Sequence, residues 1–278
     1  EYGYASSGET FSIADPNEVW LMELIGKGKE EKGAVWVATR IPDDCIAAHA
    51  NQARVTTINF KDKDNWMWSK DVVSFARKQG YFEGKDKDFN FQEAYAPYDF
   101  SGLYVCEARV WSFFRQFSDD IDKDFDFYAD KTFVETVGKY AGERMPLYIK
   151  PNHKVSAQEL KDCMRDQYEG TPLDITQGPD AGPWNSKLRY GSLGFQLDSV
   201  QYWFERPIAT QQTGWSFVAQ MRGYESAKAG GILWFGVDDA ASTVYVPMYS
   251  TITEVPECFK EGNGDMYNLN SAEPINVF

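Results

Sequence analysis

The order of hydrophobic patterns predicts an α+β fold with mainly antiparallel sheets and a helix-rich insertion. Short alternating runs come first, helical periods fill the middle, and strand patterns return toward the end of the 278 residues. Hairpin-type turn signals join the early strands, which favours antiparallel pairing over a parallel doubly wound sheet. No repeat and no low-complexity linker divides the chain. Residues 1–278 therefore read as one domain, with the helical insertion at about 68–170 and a loose polar tail at 261–278.

The first three strands are expected at Glu9 to Ala14, Val19 to Ile25 and Ala34 to Arg40, where apolar and polar residues alternate. Asp15-Pro16-Asn17 closes the first hairpin, and the charged, glycine-rich run Gly26 to Gly33 connects the next pair. A fourth strand is expected from Ile46 to His49. Helical periods follow at Ser69 to Gln79 and Ser101 to Phe117, the second with Leu103, Val110, Phe113, Phe114 and Phe117 largely on one face. Ser156 and Glu159 have the spacing of a capping box, and Tyr168-Glu169-Gly170 gives that helix a glycine stop. Thr171 to Arg189 is rich in Pro, Gly, Asp and Asn and reads as a long structured loop. Strands are expected again at Gln201 to Phe204, Ile208 to Gln220, Gly231 to Val237 and Thr243 to Val246.

At 43% apolar residues the chain can bury a sizeable core. The aromatic share of 16% exceeds ordinary packing needs and points to pockets or stacking surfaces beside a ring-rich core. A formal net charge of −14 repels nucleic-acid phosphates and anionic lipid, so neither is an expected partner. No run of 18 apolar residues exists to span a membrane, and Glu1-Tyr2-Gly3-Tyr4 carries no signal-peptide pattern. The compartment, bacterial cytoplasm or an exported location, stays open. Cys45, Cys106, Cys163 and Cys258 form no CxxC pair and read as free thiols, and the acidic runs lack the glycine and closing glutamate of an EF-hand. No cofactor or metal is expected. With His49 and His153 the only histidines, the composition favours chemistry that runs without histidine.

Three polar clusters stand out. Ala48-His49-Ala50-Asn51-Gln52-Ala53-Arg54 follows a strand; its amides can donate to a developing oxyanion and its arginine can hold a carboxylate, though the same run also reads as a strand-capping turn. Glu205 to Ser216 includes Arg206 and an interruption of the apolar alternation at Thr210 to Thr213, which fits a ligand-facing region or a bulge equally. Asp238-Asp239 after a buried strand suits acid/base or metal chemistry, but also a turn, because adjacent strand residues face opposite sides.

The run from Tyr4 to Trp20, then His49 to Arg54, then Glu169 to Asp174, resembles the N-terminal-nucleophile cysteine dipeptidases related to those of lactobacilli. Arg206 to Gly214, Phe217 to Gln220 and Gly231 to Ala240 are similar to the same family in the same order, up to about Tyr267. The resemblance implies an αββα sandwich, incomplete here, in which an N-terminal cysteine attacks the peptide bond of a dipeptide or short peptide. The cysteine's own α-amine, with an unperturbed pKa of roughly 8, serves as the base, which gives the scarcity of histidine a chemical reason. It further implies Asn51 and Arg206 as catalytic residues, and Gln52, Arg54, Gln211, Gln212 and Thr213 as substrate-binding residues.

Position 1 is Glu1, with no thiol, and Cys45 has no free α-amine, so the chain is expected to be a fragment lacking the nucleophile segment and inactive alone. The missing strand would leave an edge across which a homodimer could form. The alternative expectation is a non-catalytic peptide-binding module derived from the family. A carbohydrate-active protein fits the aromatic composition without a motif behind it.

Overall fold

A computed structural model describes residues 7–29, 31–129, 144–178, 181, 184–185, 194–256 and 259. Glu1, much of the expected loop after Gly178, Cys258 and the expected tail at 261–278 lie outside the described residues. The architecture is a mixture of antiparallel sheets and short helices. The chain divides into two compact units, Glu1–His153 and Lys154–Phe278.

In the first unit, β1 (Gly8–Ala14), β2 (Val19–Gly26), β3 (Ala34–Ile41) and β5 (Trp66–Trp68) form an antiparallel sheet in that order. The β1–β2 turn is set by Asp15, whose Oδ1 accepts the backbone N–H groups of Asn17 and Glu18. Opposed positions Leu21 and Thr39, Glu23 and Val37, and Ile25 and Val35 share one sheet face, which period-two alternation turns toward the core. Val35 and Val37 are fully buried there, with Leu21, Val55, Phe89 and Phe91 in the same cluster. Each such side chain contributes about 2 kcal/mol of transfer free energy. Helix α1 (Val72–Lys78) packs on β3 through a buried set that includes Val72, Phe75 and Ala76. The short β4 (Ile46–Ala47) pairs with β6 (Tyr148–Ile149).

Two further helical pieces follow α1. One is α2 (Phe91–Tyr95), capped by Asn90, whose side chain accepts from the Glu93 N–H. The other begins as a π-helical turn at Ser101–Glu107 and continues as α3 (Ala108–Phe114). The expected helix from Ser101 is thus present but opens with i→i+5 geometry, a form that is rare and concentrated at functional sites.

The second unit contains α4 (Ala157–Cys163), the hairpin β7 (Gly194–Leu197) and β8 (Val200–Trp203), and a sheet of β9 (Trp215–Met221), β10 (Gly231–Val237) and β11 (Val246–Tyr249). Strand β10 is central, and α4 packs against β9. The hairpin closes on Asp198 and Ser199, both at positive φ (49° and 66°), which matches the twist of a two-residue connection. Gly236 lets β10 approach Thr243, because a Cβ there would lie 2.5 Å from the Thr243 Oγ1.

Several boundaries depart from the expected ones. The strand expected from Ile208 begins only at Trp215. Thr213 turns back, its N–H and hydroxyl both donating to the Thr210 carbonyl, so its side chain satisfies that backbone group locally in place of a ladder. The strand expected at Thr243 to Val246 starts at its last residue, since the Thr243 N–H bonds Asp239 O in a turn. Helix α4 ends at Cys163, before the glycine stop, because Arg165 and Asp166 close i→i+3 turns onto Asp162 and Cys163. The fourth strand stops at Ala47, short of His49. Strands β5, β6 and β7 were not anticipated.

The capping box of α4 forms with both arms: the Ser156 Oγ accepts from Glu159 N–H, and the Glu159 carboxylate accepts from Ser156 N–H. Replacing Ser156 with alanine is expected to cost about 1 kcal/mol in denaturant unfolding of the second unit, with the slope unchanged.

Candidate functional site

A cleft of about 440 Å³ opens in the first unit between the end of the β1–β2 hairpin and the run His49 to Ala53. Its lining includes Glu9, Glu23, His49, Asn51, Gln52 and Arg109. The run after β4 therefore forms one wall, and the β2 carboxylate and the α3 guanidinium come in from separate elements.

Beneath this wall sits Arg54, 5% exposed. Its Nε donates to Glu107 Oε1 at 2.8 Å, its Nη1 to the carbonyls of Ala48 and Leu147, and its Nη2 to those of Met145 and Pro146. All five guanidinium N–H groups are thereby engaged, and the ring of Phe114 lies 5.7 Å from its Cζ. Arg54 does not line the cleft; the structure commits it to holding the wall in place.

Glu23 is 1% exposed on the inward face of β2. Its two oxygens accept the backbone N–H groups of Arg54 (2.7 Å) and Val55 (3.1 Å). Burial is the dominant influence and pushes its carboxyl up to about 7, against the lowering effect of those two N–H groups and of the Arg54 charge; Glu107 adds to the rise. His49 shares a 3.2 Å hydrogen bond between Nε2 and Ser12 Oγ. Burial, then the nearby Arg54 charge, hold its imidazole below the ordinary value, so it is neutral at neutral pH.

Asn51 occupies the left-handed region at φ 56°, a conformation that asparagine tolerates better than most side chains. Its Oδ1 accepts from Arg109 Nη2 at 2.8 Å, and its carbonyl faces the Cys106 thiol at 3.8 Å. Gln52 donates through Nε2 to the Ala96 carbonyl at 2.6 Å. Glycine at 102 allows this, because a Cβ there would stand 2.8 Å from Gln52 Oε1.

The other residues singled out from the sequence fall in the second unit. Arg206 is half-buried; its carbonyl accepts from the Tyr168 hydroxyl at 2.8 Å, and its Nε is buried with no hydrogen bond among the described residues. Gln211, Gln212 and Thr213 belong to the turn that begins at Thr210. Asp239 is buried and accepts from Ala241 N–H and the Ser242 hydroxyl, so it closes the turn after β10. Among the described residues no cluster of His, Cys, Asp or Glu could hold a metal ion, and no helix is long and apolar enough to cross a membrane. Cys45, Cys106 and Cys163 are not disulfide-bonded.

Sequence reasoning gave no role to Glu23, Glu107 or Arg109. A signal for the first was present: Glu23 interrupts the inward phase Leu21, Glu23, Ile25 of an otherwise apolar strand. Glu107 likewise sits among the buried residues Leu103, Cys106 and Val110. Arg109 had no such signal.

The profile described as peptidase family C69 matches residues 1–272. The chain is 28% identical over 247 residues to a probable dipeptidase of Salmonella dublin, covering 87% of this chain and 47% of that protein. It is 24% identical to a probable dipeptidase of Latilactobacillus sakei (94% and 46% covered) and 23% identical to dipeptidase A of Lactobacillus helveticus (97% and 48% covered). The chain spans about half the length of the curated relatives it matches.

Two outcomes follow from the buried network. With the carboxyl of Glu23 raised from 4.5 to about 7, the folded chain keeps a proton that the unfolded chain loses above 4.5. That contribution is fully present below 4.5 and is lost as pH rises through 7, amounting to roughly 3 kcal/mol. Denaturant titrations from pH 4.5 to 8 should show this decline in the native chain and not in Glu23→Gln; parallel profiles would contradict it. Arg54→Met is expected to destabilise the first unit by about 3–5 kcal/mol, because Glu107 is left buried without its partner. Adding Glu107→Leu should recover part of that loss in the same unfolding measurement.

Proposed function

The chain belongs to peptidase family C69, and from that premise we propose that it is part of a dipeptidase, forming the substrate-facing wall of a site whose nucleophile lies in sequence outside residues 1–278. The reading extends to an N-terminal-nucleophile sandwich and to cysteine chemistry. An N-terminal cysteine gives its thiol proton to its own α-amine, the thiolate adds to the peptide carbonyl, and the oxygen takes up negative charge. The ammonium returns the proton to the leaving amine as the C–N bond breaks. Water then hydrolyses the thioester by the same two steps.

In this scheme Asn51 donates through Nδ2 to the developing oxyanion. The observation that carries the reading is the state of that amide: its oxygen is taken by Arg109, and among the described residues its NH₂ has no partner in a cleft it lines. Gln52 is the neighbouring substrate-facing side chain. Arg206 is proposed as a catalytic residue, Gln211, Gln212 and Thr213 as substrate-binding residues, and Arg54 as the support of the wall. A neutral His49 suits a site that binds an uncharged amide and leaves proton transfer to the α-amine.

The test combines turnover and binding on the 278-residue chain with L-alanyl-L-alanine. The chain is expected to bind the dipeptide without hydrolysing it, and Asn51→Gly, which suits the positive φ, is expected to weaken binding about tenfold. Hydrolysis by the pure chain that iodoacetamide abolishes would place the nucleophile inside it and overturn the scheme. Failure to bind would remove the cleft as the substrate site. Binding by a longer gene product that itself has no turnover would instead make the protein a peptide-binding module.

A further inference from the structure

We propose that Arg109 is the positioning residue of the cleft, fixing which end of the Asn51 amide meets a bound peptide. The inference rests on the reading of Asn51 as a donor to the substrate's carbonyl or carboxylate oxygen.

An asparagine amide presents a donor NH₂ at one end and an acceptor oxygen at the other, and a half-turn about its last torsion exchanges them. In the open, both orientations are populated, and half of them would offer an oxygen to an oxygen. Arginine has only donors. With Arg109 Nη2 at 2.8 Å, the oxygen end of Asn51 must face the guanidinium, and the NH₂ must face away. The guanidinium is itself held: Nε donates to the Val105 carbonyl at 2.8 Å on its own helical segment, and Nη2 also reaches the Ala50 carbonyl at 3.4 Å. Arg109 thus grips both the backbone before Asn51 and the side chain of Asn51.

The helix that carries Arg109 explains how this grip is possible. The π-helical turn at Ser101–Glu107 brings Gly102 against Gln52, Cys106 against the Asn51 carbonyl and Glu107 against Arg54. Arg109 follows in the first turn of α3. One helical segment therefore contacts four positions of a single short loop. A substitution at Gly102, Cys106 or Glu107 acts on the cleft through the loop, since none of the three lines it.

The experiment is a double-mutant cycle on the 278-residue chain, with Arg109→Met, Asn51→Gly and the double variant, read as L-alanyl-L-alanine affinity by calorimetry and as the Asn51 side-chain amide resonances by NMR. Arg109→Met should weaken binding roughly tenfold in the native background and have no further effect in the Asn51→Gly background. Its Asn51 NH₂ resonances should move toward those of a solvent-exposed asparagine. Independent, multiplicative losses of affinity, or unmoved resonances, would overturn the proposal. If the native chain does not bind the dipeptide, the substrate reading fails by itself, and the resonances alone then decide the role of Arg109.

Discussion

The first unit depends on the ion pair between Arg54 and Glu107, buried to 2% and 4% side-chain exposure. Taking both charges out of water costs several kcal/mol each, which the pair recovers only because every remaining N–H of Arg54 finds a carbonyl. Those carbonyls come from Ala48 on one side and from Met145, Pro146 and Leu147 on the other. The guanidinium thus acts as a fastener between segments roughly ninety residues apart in sequence. A lysine could not replace it, since its ammonium is a compact donor without the planar fork. Hydrophobic packing of β2, β3 and α1 gives the unit its mass, but it is this polar centre that sets where residues 48–54 can lie.

The second buried carboxyl follows from the first constraint. Arg54 and Val55 need partners for their backbone N–H groups where no strand pairs with them, and Glu23 supplies both. The cost of placing a carboxyl there shows in its raised pKa. One cationic group, Arg54, is shared between two acidic ones, Glu23 and Glu107, so its charge offsets the burial of Glu23 only in part. Positioning and protonation are therefore properties of one network rather than of separate residues.

Local chemistry made parts of the fold legible in the sequence. Ser156 and Glu159 are three residues apart and satisfy each other, so their capping box needs nothing from the rest of the chain. The run Gly231 to Val237 is a strand over the whole expected span. Trp66–Trp68 was not legible, because three residues among polar turns become a strand only by pairing with Val37, Ala38 and Thr39. Thr210 to Thr213 misled for the opposite reason: the Thr213 hydroxyl, on a residue type that looks like a strand residue, bonds the Thr210 carbonyl in a local turn. The site divides the same way. His49 to Gln52 is contiguous and visible as a cluster, whereas Glu23, Glu107 and Arg109 reach it across 31 to 58 positions of sequence.

The low histidine content acquires a physical meaning once the cleft is seen. Its one imidazole is kept neutral by burial and by a guanidinium, and its floor is a carboxyl poised near 7. Burial has already removed water from Glu23 and favours its protonated form. An ammonium group brought near it does the reverse, and a carboxylate brought near it reinforces the rise. The charge of the floor therefore responds to which end of a zwitterionic ligand approaches, while the donors of the wall do not, because Asn51 and Gln52 carry no titrating proton. The cleft thus sets fixed neutral donors beside a carboxyl whose charge responds to the groups brought near it.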